Sequence, residues 1–388
     1  MTTILILVDA FSYFYLNSTL TPLCYEIGKE GIISSLRPLF AFQGIEHTIF
    51  TGKWPSEHGV FTEMYFEESN NIADRLGEVF LKFVDILGND KISKLSRILV
   101  EVSKGGRRRL TPNVIPPEGL KYFSISARKP IYERGAANTK TLFDVLREND
   151  LHFIFEQPAI IGGDEKTVKK LSNLANKLDN VDFVYVKLSG FDRVGHIYGP
   201  SPIKFKDTIR KTEQYIEDII NIFGGLDKNN ILIITDHGMS LVYNYIDILS
   251  DLKKISGLSL YDDYIVFLDS TLARFWFKNE YAKKKITEYL STLEYGHILT
   301  EKEIETLHLP TDIRQIGDVM FIINEGSVIY PDFWSGTRKP KGMHGYAYAN
   351  TKEALAVFIA NSNMAKYYKK TPTEFVDILD GIIHSLVY

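Results

Sequence analysis

Cysteine is almost absent from the sequence, since Cys24 is the only one among 388 residues. A single cysteine excludes an internal disulfide and is consistent with a reducing compartment. Apolar runs are also short, and none approaches the roughly 18 residues of a membrane-spanning helix. The amino terminus carries no basic segment, long apolar stretch or cleavage site, so we expect no signal peptide. These absences predict a cytoplasmic protein without a membrane span.

An excess of positive charge is missing as well. The formal net charge is −4 at pH 7, from 45 Lys and Arg against 49 Asp and Glu. Because such a chain has no global electrostatic attraction to polyanions, we expect no specific nucleic-acid binding. Internal repeats and low-complexity tracts are also lacking, whereas 45% of the residues are hydrophobic. The chain is therefore long and apolar enough for one large core with a substantial cap.

Three apolar, β-branched runs are each followed by residues that can bind metal ions. The runs cover residues 4–8, 183–186 and 231–234, and they read as buried parallel strands. The candidate ligands that follow them, together with one late histidine, are Asp9, Asp192, His196, Asp236, His237 and His344. Because open α/β folds place their chemistry at the carboxyl ends of the strands, we expect these side chains to converge at one sheet edge. Three carboxylates and three imidazoles are enough for two divalent ions, and this donor set suits zinc, with manganese or iron as alternatives.

Local spacing supports a shared site, although each fragment alone has an ordinary interpretation. Asp192 and His196 are four residues apart and would meet on one helical turn. Gly238 supplies the break in the strand that would let both Asp236 and His237 reach an ion. Taken singly, an aspartate that ends a strand is usually a helix N-cap, and an Asp-His dipeptide before glycine is usually a turn. The combination of the fragments favours a metal site.

The succession of predicted elements indicates an α/β fold, with a mostly parallel central sheet flanked by helices and two cap insertions. We assign residues 1–63, 135–240 and 341–388 to a metal-binding core, 64–134 to the first cap insertion and 241–340 to a second insertion subdomain. In the second insertion, strands are predicted at 264–268, 273–277 and 319–323, and a helix at 282–293. Core helices are predicted at 139–149, with Thr139 as the N-cap, at 202–223 and at 372–386.

Five segments of the chain resemble the alkaline phosphatase superfamily, and within it the nucleotide pyrophosphatase/phosphodiesterase branch. They are residues 7–9, 51–59, 192–196, 235–239 and 342–346, and they occur in the family's order. The resemblance implies an alkaline phosphatase-like fold and a metal-dependent hydrolase or transferase that acts on small phosphate esters, above all phosphodiesters or nucleotide-like molecules. It also implies that Asp192, His196 and His344 hold one metal ion. The other ion would then be held by Asp9, Asp236 and His237.

The chain departs from the family at the position of the covalent nucleophile. The family has Thr or Ser nine residues before the threonine of its Thr-Gly-x-x-Pro segment, and counting back from Thr51 leads to Phe42. Phenylalanine can neither attack phosphorus nor bind a metal ion, and no Ser, Thr or Cys occurs between Leu36 and His47. Thr48 and Thr51 lie where the family has structural helix residues. We therefore expect direct attack by metal-bound water, with inversion at phosphorus and no phospho-enzyme.

Two other functions remain open at this point. The chain could be a catalytically silent relative that binds metal and holds a phosphorylated ligand or a protein partner, which the missing nucleophile favours and the complete ligand set disfavours. Alternatively, the same two-metal site could serve a different bond cleavage or group transfer. Metal analysis combined with a panel of phosphate diesters and monoesters separates hydrolysis from silent binding.

The basic run at residues 104–109 is a candidate phosphate-binding segment. It contains Arg107, Arg108 and Arg109, which would contact substrate if the first insertion overhangs the metal ions. A charge run of this kind is more commonly a solvated loop. The remaining histidines, His47 and His58 among them, are expected to be structural or surface residues.

Overall fold

The computed structural model describes residues 1–41, 44–68, 117–159, 161–177, 180–334, 338–349 and 351–387. The described strands, in chain order, are β1 Thr3–Val8, β2 Ile32–Leu36, β3 Met64–Phe66, β4 Phe123–Ile125, β5 Phe153–Glu156, β6 Phe183–Leu188, β7 Asn230–Ile234, β8 Ser240–Leu241, β9 Asn244–Ile246, β10 Tyr264–Leu268, β11 Leu272–Phe277, β12 Gly296–Ile298, β13 Val319–Ile323, β14 Ser327–Ile329, β15 Gly342–Met343 and β16 Ala356–Ala360.

The described α-helices alternate with these strands in the first half of the chain. In chain order they are α1 Pro22–Lys29, α2 Ile45–Thr51, α3 Pro55–His58, α4 Leu142–Glu148, α5 Gly163–Ala175, α6 Gly190–Tyr198, α7 Pro202–Ile222, α8 Ile248–Leu252, α9 Glu280–Leu290, α10 Glu301–Thr306, α11 Ile313–Ile316, α12 Ser362–Ala365 and α13 Ile378–Val387. Short 3-10 helices occur at Tyr13–Tyr15, Pro117–Tyr122, Leu226–Lys228 and Phe375–Asp377. In the described part of the chain, no helix is both long and apolar enough to span a membrane.

A six-stranded sheet in the order β2-β16-β7-β1-β6-β5 forms the centre of the molecule. β1 pairs in parallel with β6 and β7, and β5 pairs in parallel with β6. β16 is antiparallel to both of its neighbours, β7 and β2. The predicted mostly parallel α/β sheet is therefore confirmed, and its exception is β16.

Strand β1 shows why helices cover both faces of this sheet. All of its residues are buried, as expected for a continuous apolar run between two parallel neighbours. Ile4, Ile6 and Val8 pack on one face, together with apolar residues of α1 and α7. Leu5 and Leu7 alternate with them and pack on the other face, against α2, α4 and α13. Because both faces are apolar, only the strand ends are available for polar chemistry.

The strand register aligns the ends of three neighbouring strands. Leu7 pairs with Ile234 on β7, and Val8 pairs with Leu188 on β6. The residues that follow these pairs, including Asp9, therefore leave the sheet at the same edge. This alignment positions the candidate site.

A second sheet, antiparallel and in the order β10-β11-β13-β12, forms within residues 264–323. The strands predicted at 264–268, 273–277 and 319–323 are confirmed as β10, β11 and β13, and the helix predicted at 282–293 is α9. The short β3–β4 pair packs on this sheet, with Phe123 at a ring-centroid distance of 4.9 Å from Phe267 and Phe66 at 5.2 Å from Trp276. The boundaries assigned to the two insertions stay a prediction.

A fully buried arginine holds the second sheet to the preceding segment of the chain. One terminal nitrogen of Arg274, Nη1, donates hydrogen bonds to Thr62 Oγ1 at 2.7 Å, and to the carbonyl oxygens of Met64 and Gln315, both at 2.8 Å. Its other terminal nitrogen lies 3.3 Å from a carboxylate oxygen of Asp269. The arginine thus joins three separate segments through polar contacts inside an apolar core.

Two predicted helix starts are wrong by a few residues. α4 begins at Leu142, and its N-cap is Thr141 rather than Thr139, because the Thr141 side chain accepts from the Asp144 amide while the Asp144 carboxylate accepts from the Thr141 amide. α13 begins at Ile378 rather than at 372, since a 3-10 turn at Phe375–Asp377 precedes it. The predicted helix at 202–223 is confirmed as α7.

Candidate metal centre

The six residues proposed as metal ligands lie together at the carboxyl edge of the central sheet. Asp9 follows β1, Asp236 and His237 follow β7, and Asp192 and His196 lie on α6 just after β6. His344 follows β15, which is held near α6 by the hydrogen bond from the Lys341 amide to the His196 carbonyl oxygen. The six side chains line two adjoining cavities that share Asp192 and His344. The backbone thus brings residues from four distant parts of the chain into one site.

Asp192, His196 and His344 form the first cluster of ligand atoms. Asp192 Oδ1 lies 3.2 Å from His196 Nε2 and 3.5 Å from His344 Nε2. Ligand atoms about 2.0–2.1 Å from a tetrahedral zinc ion lie about 3.3 Å apart, so the spacing matches such an ion. His196 Nδ1 lies 2.9 Å from the Gly342 carbonyl oxygen and donates to it, which leaves the Nε2 lone pair directed at the cluster. These three residues fit a divalent ion.

The second cluster is less regular. His237 Nε2 lies 3.4 Å from Asp9 Oδ1 and 3.7 Å from Asp236 Oδ1. His237 Nδ1 donates to the Gly238 carbonyl oxygen at 2.8 Å, so its Nε2 lone pair also faces the site. Among the described residues, however, the compact group of ligand atoms around His237 contains Asp9 and Asp192 rather than Asp236. The donor set predicted for a second ion therefore fits less well than the first.

Asp236 is engaged by hydrogen-bond donors on both of its oxygens. Oδ1 accepts from the backbone amides of Ala10 and His237, each at 3.1 Å. Oδ2 accepts from the ammonium group of Lys187 at 3.0 Å. The same Lys187 Nζ lies 2.9 Å from Oδ2 of Asp9. A lysine thus bridges two of the carboxylates that were predicted to bind metal.

Sequence reasoning missed Lys187 as a site residue. Lys187 is the single charged residue in the otherwise apolar strand β6, and its position next to the last residue places it at the site edge of the sheet. The signal was a cation five residues before Asp192, inside the otherwise apolar run 183–188. The predicted strand ends at Val186, whereas β6 extends to Leu188 and includes the lysine.

Charges in the site shift the pKa values of its residues strongly. Burial and the neighbouring Asp236 carboxylate raise the pKa of Asp9 to about 7. Burial also disfavours the charged forms of Asp192 and His196, but their mutual attraction outweighs it, so the pKa of Asp192 is lowered and that of His196 is raised to about 9. Burial opposes the charge of Lys187, yet the two aspartates raise its pKa. The clustered carboxylates therefore depend on nearby positive charge.

Helix α2 contributes two polar residues to the cavity wall, Glu46 and His47. One carboxylate oxygen of Glu46 accepts from Tyr185 Oη and from Gln157 Nε2, both at 2.6 Å. His47 is buried, and no described residue gives its Nε2 a hydrogen bond. The pKa of His47 is lowered because burial disfavours the imidazolium. Sequence reasoning expected a structural or surface histidine, whereas His47 lines the cavity that also contains the carboxylates.

Thr48 and Thr51 are hydrogen-bonded away from the cavity. The Val60 amide donates to His58 Nδ1 at 3.2 Å, so His58 Nε2 carries the proton and donates to Thr48 Oγ1 at 2.9 Å. Thr51 Oγ1 donates to the His47 carbonyl oxygen at 2.6 Å. Neither threonine is among the described residues that line the two cavities. The Thr48 hydroxyl joins α2 to α3, and the Thr51 hydroxyl bonds within α2. Phe42 and the arginines at 107–109 lie outside the described residues, and their roles stay predictions.

Comparison with known proteins gives a family match over most of the chain and several more distant relatives. The sequence pattern of the type I phosphodiesterase / nucleotide pyrophosphatase family matches residues 3–347. Mouse ectonucleotide pyrophosphatase/phosphodiesterase family member 7 is 22% identical over 272 residues, which are 69% of this chain and 56% of that protein. Alkaline phosphatase PhoV of Synechococcus elongatus is 26% identical over 196 residues, which are 41% of this chain and 34% of that protein. The matches thus span about half of the mouse protein and a third of the bacterial one.

Solved structures give a likeness over the whole chain. Murine ectonucleotide pyrophosphatase/phosphodiesterase 5 superposes with a TM-score of 0.69 at 15% identity, covering 100% of this chain and 95% of that one. An inactive form of the same murine protein, in complex with AMP, superposes with a TM-score of 0.70 at 15% identity over the same shares. At this identity the likeness shows a common fold.

Proposed function

The chain belongs to the type I phosphodiesterase / nucleotide pyrophosphatase family, and from this premise we propose that it is a metal-dependent hydrolase of phosphate esters. Phosphodiesters or nucleotide-like molecules are the proposed substrates. The observation that carries the proposal is the cluster of Asp192, His196 and His344, whose ligand atoms have the spacing of a tetrahedral metal site at the wall of an open cavity. The AMP bound by the inactive murine protein supports a nucleotide-like substrate.

We propose zinc as the ion, with manganese or iron as alternatives, because one carboxylate and two imidazoles form a mixed oxygen and nitrogen donor set. When bound there, the ion supplies Lewis-acid polarisation of a phosphoryl oxygen and activation of water. The protein orients the ligands: the Gly342 carbonyl fixes the tautomer of His196, and α6 holds Asp192 one turn away. Asp9, Lys187 and His47 line the adjoining cavity, which Asp192 and His344 also border, and they face the space in which the phosphate ester would lie.

We propose that water attacks phosphorus in a single displacement, without a phospho-enzyme. The support is the phenylalanine at the family's nucleophile position, together with the hydrogen bonds that engage Thr48 and Thr51 elsewhere. One displacement inverts the configuration at phosphorus, whereas a covalent intermediate would retain it. The cytoplasmic location expected from the sequence stays a prediction.

Substitution of the two threonines tests this mechanism. We expect Thr48→Ala and Thr51→Ala to keep phosphodiester hydrolysis within about tenfold of the unsubstituted protein, because neither hydroxyl reaches the cavity. Loss of the bond from His58 could lower the stability of Thr48→Ala by about 1–3 kcal/mol, so rates are compared well below each melting temperature. Acid-quenched protein, digested and analysed by mass spectrometry after turnover, should contain no phosphothreonine. A trapped phosphothreonine at either position would contradict direct attack by water.

A substrate panel with controlled metal content tests the proposed function as a whole. The protein is stripped with chelator, reloaded with zinc, manganese or iron(II), and assayed on bis-p-nitrophenyl phosphate, p-nitrophenyl phosphate and a dinucleotide. We expect diesters to be cleaved only by the reloaded protein. Metal binding with no turnover on any ester would instead identify a silent binding relative, and cleavage of a different bond would identify a changed chemistry at the same site.

A further inference from the structure

The ammonium group of Lys187 contacts two candidate metal ligands at once. Its Nζ lies 2.9 Å from Asp9 Oδ2 and 3.0 Å from Asp236 Oδ2. Both carboxylates are largely buried, with side-chain exposures of 16% and 6%. Charge-assisted hydrogen bonds of this length inside a protein are strong, because solvent screens them little. The lysine is therefore a fixed counter-ion of this half of the site.

The backbone of Lys187 is held in the middle of the central sheet. β6 has hydrogen-bonded neighbours on both sides, β1 and β5, and Lys187 itself pairs with Leu7. The adjacent residues Val186 and Leu188 are completely buried in the core. A lysine on a surface loop could swing away when a metal ion arrives, but this one starts from a rigid strand and can move only its side chain.

Few ligand atoms of Asp9, Asp236 and His237 remain available to hold a second ion tightly. Asp236 uses Oδ1 for two backbone amides and Oδ2 for the lysine. Asp9 uses Oδ2 for the lysine, which leaves Oδ1 facing His237 Nε2 at 3.4 Å. One carboxylate oxygen and one imidazole remain, and the third ligand atom near them belongs to Asp192, which is also part of the first cluster. Stable protein sites for zinc supply three or four ligands, so a second ion has no complete ligand set of its own. A divalent ion would also have to bind beside an ammonium group that repels it.

We propose that Lys187 takes the place of the second divalent ion, so that the centre holds one ion tightly, at Asp192, His196 and His344. Lys187 then provides the positive charge that keeps Asp9 and Asp236 together. An ammonium group has three N–H donors, and the two aspartates use two of them. The third is available to a phosphoryl oxygen of the substrate, since Lys187 lines the cavity. This inference rests on the proposed metal centre and does not require turnover.

Metal stoichiometry tests the inference directly. The protein is stripped, loaded with excess zinc, dialysed exhaustively against metal-free buffer and analysed by mass spectrometry for zinc per chain. We expect about one zinc ion in the unsubstituted protein. The Asp236→Asn variant should also keep about one, because Asp236 pairs with Lys187 and not with the ion. Lys187→Met removes the charge at similar length and should raise the value to about two. The proposal would be overturned if the unsubstituted protein kept two zinc ions and Asp236→Asn kept only one.

Two further variants separate charge from a general loss of structure. Lys187→Arg keeps a cation and should retain about one zinc. Lys170→Met removes a lysine that pairs with the buried carboxylate of Glu156 at 2.7 Å, outside the metal centre, and should also retain about one. If Lys187→Met does not fold without metal, a further rise in its melting temperature between one and two zinc ions per chain, which Lys170→Met should not show, supports the proposal. The same dependence on zinc in both variants opposes it. One ion without hydrolysis would refute only the proposed function, whereas two ions with hydrolysis would refute only this inference.

Discussion

His196→Ala should lower phosphodiester hydrolysis by about a thousandfold or more. The substitution removes one of three ligands from the better-formed metal cluster, and metal-supplied charge stabilisation contributes several kcal/mol to such reactions, at about 1.4 kcal/mol per tenfold in rate. It also leaves the Gly342 carbonyl oxygen without its 2.9 Å donor. Rates are measured on bis-p-nitrophenyl phosphate at saturating zinc, alongside bound zinc per chain.

His297→Ala is the matched control for this loss. His297 also pairs its imidazole with a carboxylate, that of Glu303 at 2.7 Å, but its side chain is 42% exposed and lies on β12 in the second sheet. We expect this variant to hydrolyse the diester at the unsubstituted rate and to keep its zinc. Equal rates for His196→Ala and the unsubstituted protein would show that the cluster does not take part in the reaction.

Arg274→Met should lower the free energy of unfolding by about 3–5 kcal/mol, the cost of leaving a buried ionic partner uncompensated. The side chain of Arg274 is fully buried, and the Asp269 carboxylate next to it is 2% exposed. Burial raises the pKa of Asp269 to about 6, against the opposing effect of the arginine. Three oxygen acceptors of Arg274 would lose their donor as well.

Urea unfolding followed by circular dichroism measures this effect, with Arg314→Met as the control. Arg314 pairs with Asp312 at the surface, where its side chain is 59% exposed, and such pairs contribute about 0–1 kcal/mol. We expect the midpoint of Arg274→Met to fall well below that of Arg314→Met. Indistinguishable midpoints would mean that the buried network does not stabilise the second sheet.

Strand identity was predictable where apolar, β-branched residues form continuous runs. β1, β6 and β7 were all found in this way, because strands buried on both faces have no alternation to obscure them. The convergence of Asp9, Asp192 and the residues after β7 followed from the parallel arrangement alone. The antiparallel direction of β16 was not predictable, since its sequence is as apolar as that of a parallel strand and direction depends on the connection.

The missed features of the site depend on distances between segments remote in sequence. Lys187 on β6 meets Asp236 after β7 across the end of β1, which lies between these two strands, and no local pattern reports that contact. His47 enters the cavity wall because α2 begins at Ile45, just after the left-handed Gly44. Local motifs therefore predicted which residues gather at the site, while the tertiary structure determines how their charges are balanced.

A zinc titration of the stripped protein tests the central claim most directly. Diester hydrolysis and bound zinc are followed in the same samples as zinc is added stepwise. We expect hydrolysis to appear with the first zinc ion, to rise in proportion to it, and to reach its plateau at about one ion per chain. Zinc binding without hydrolysis at any stoichiometry would contradict the assignment of this site as a metal-dependent phosphodiesterase centre.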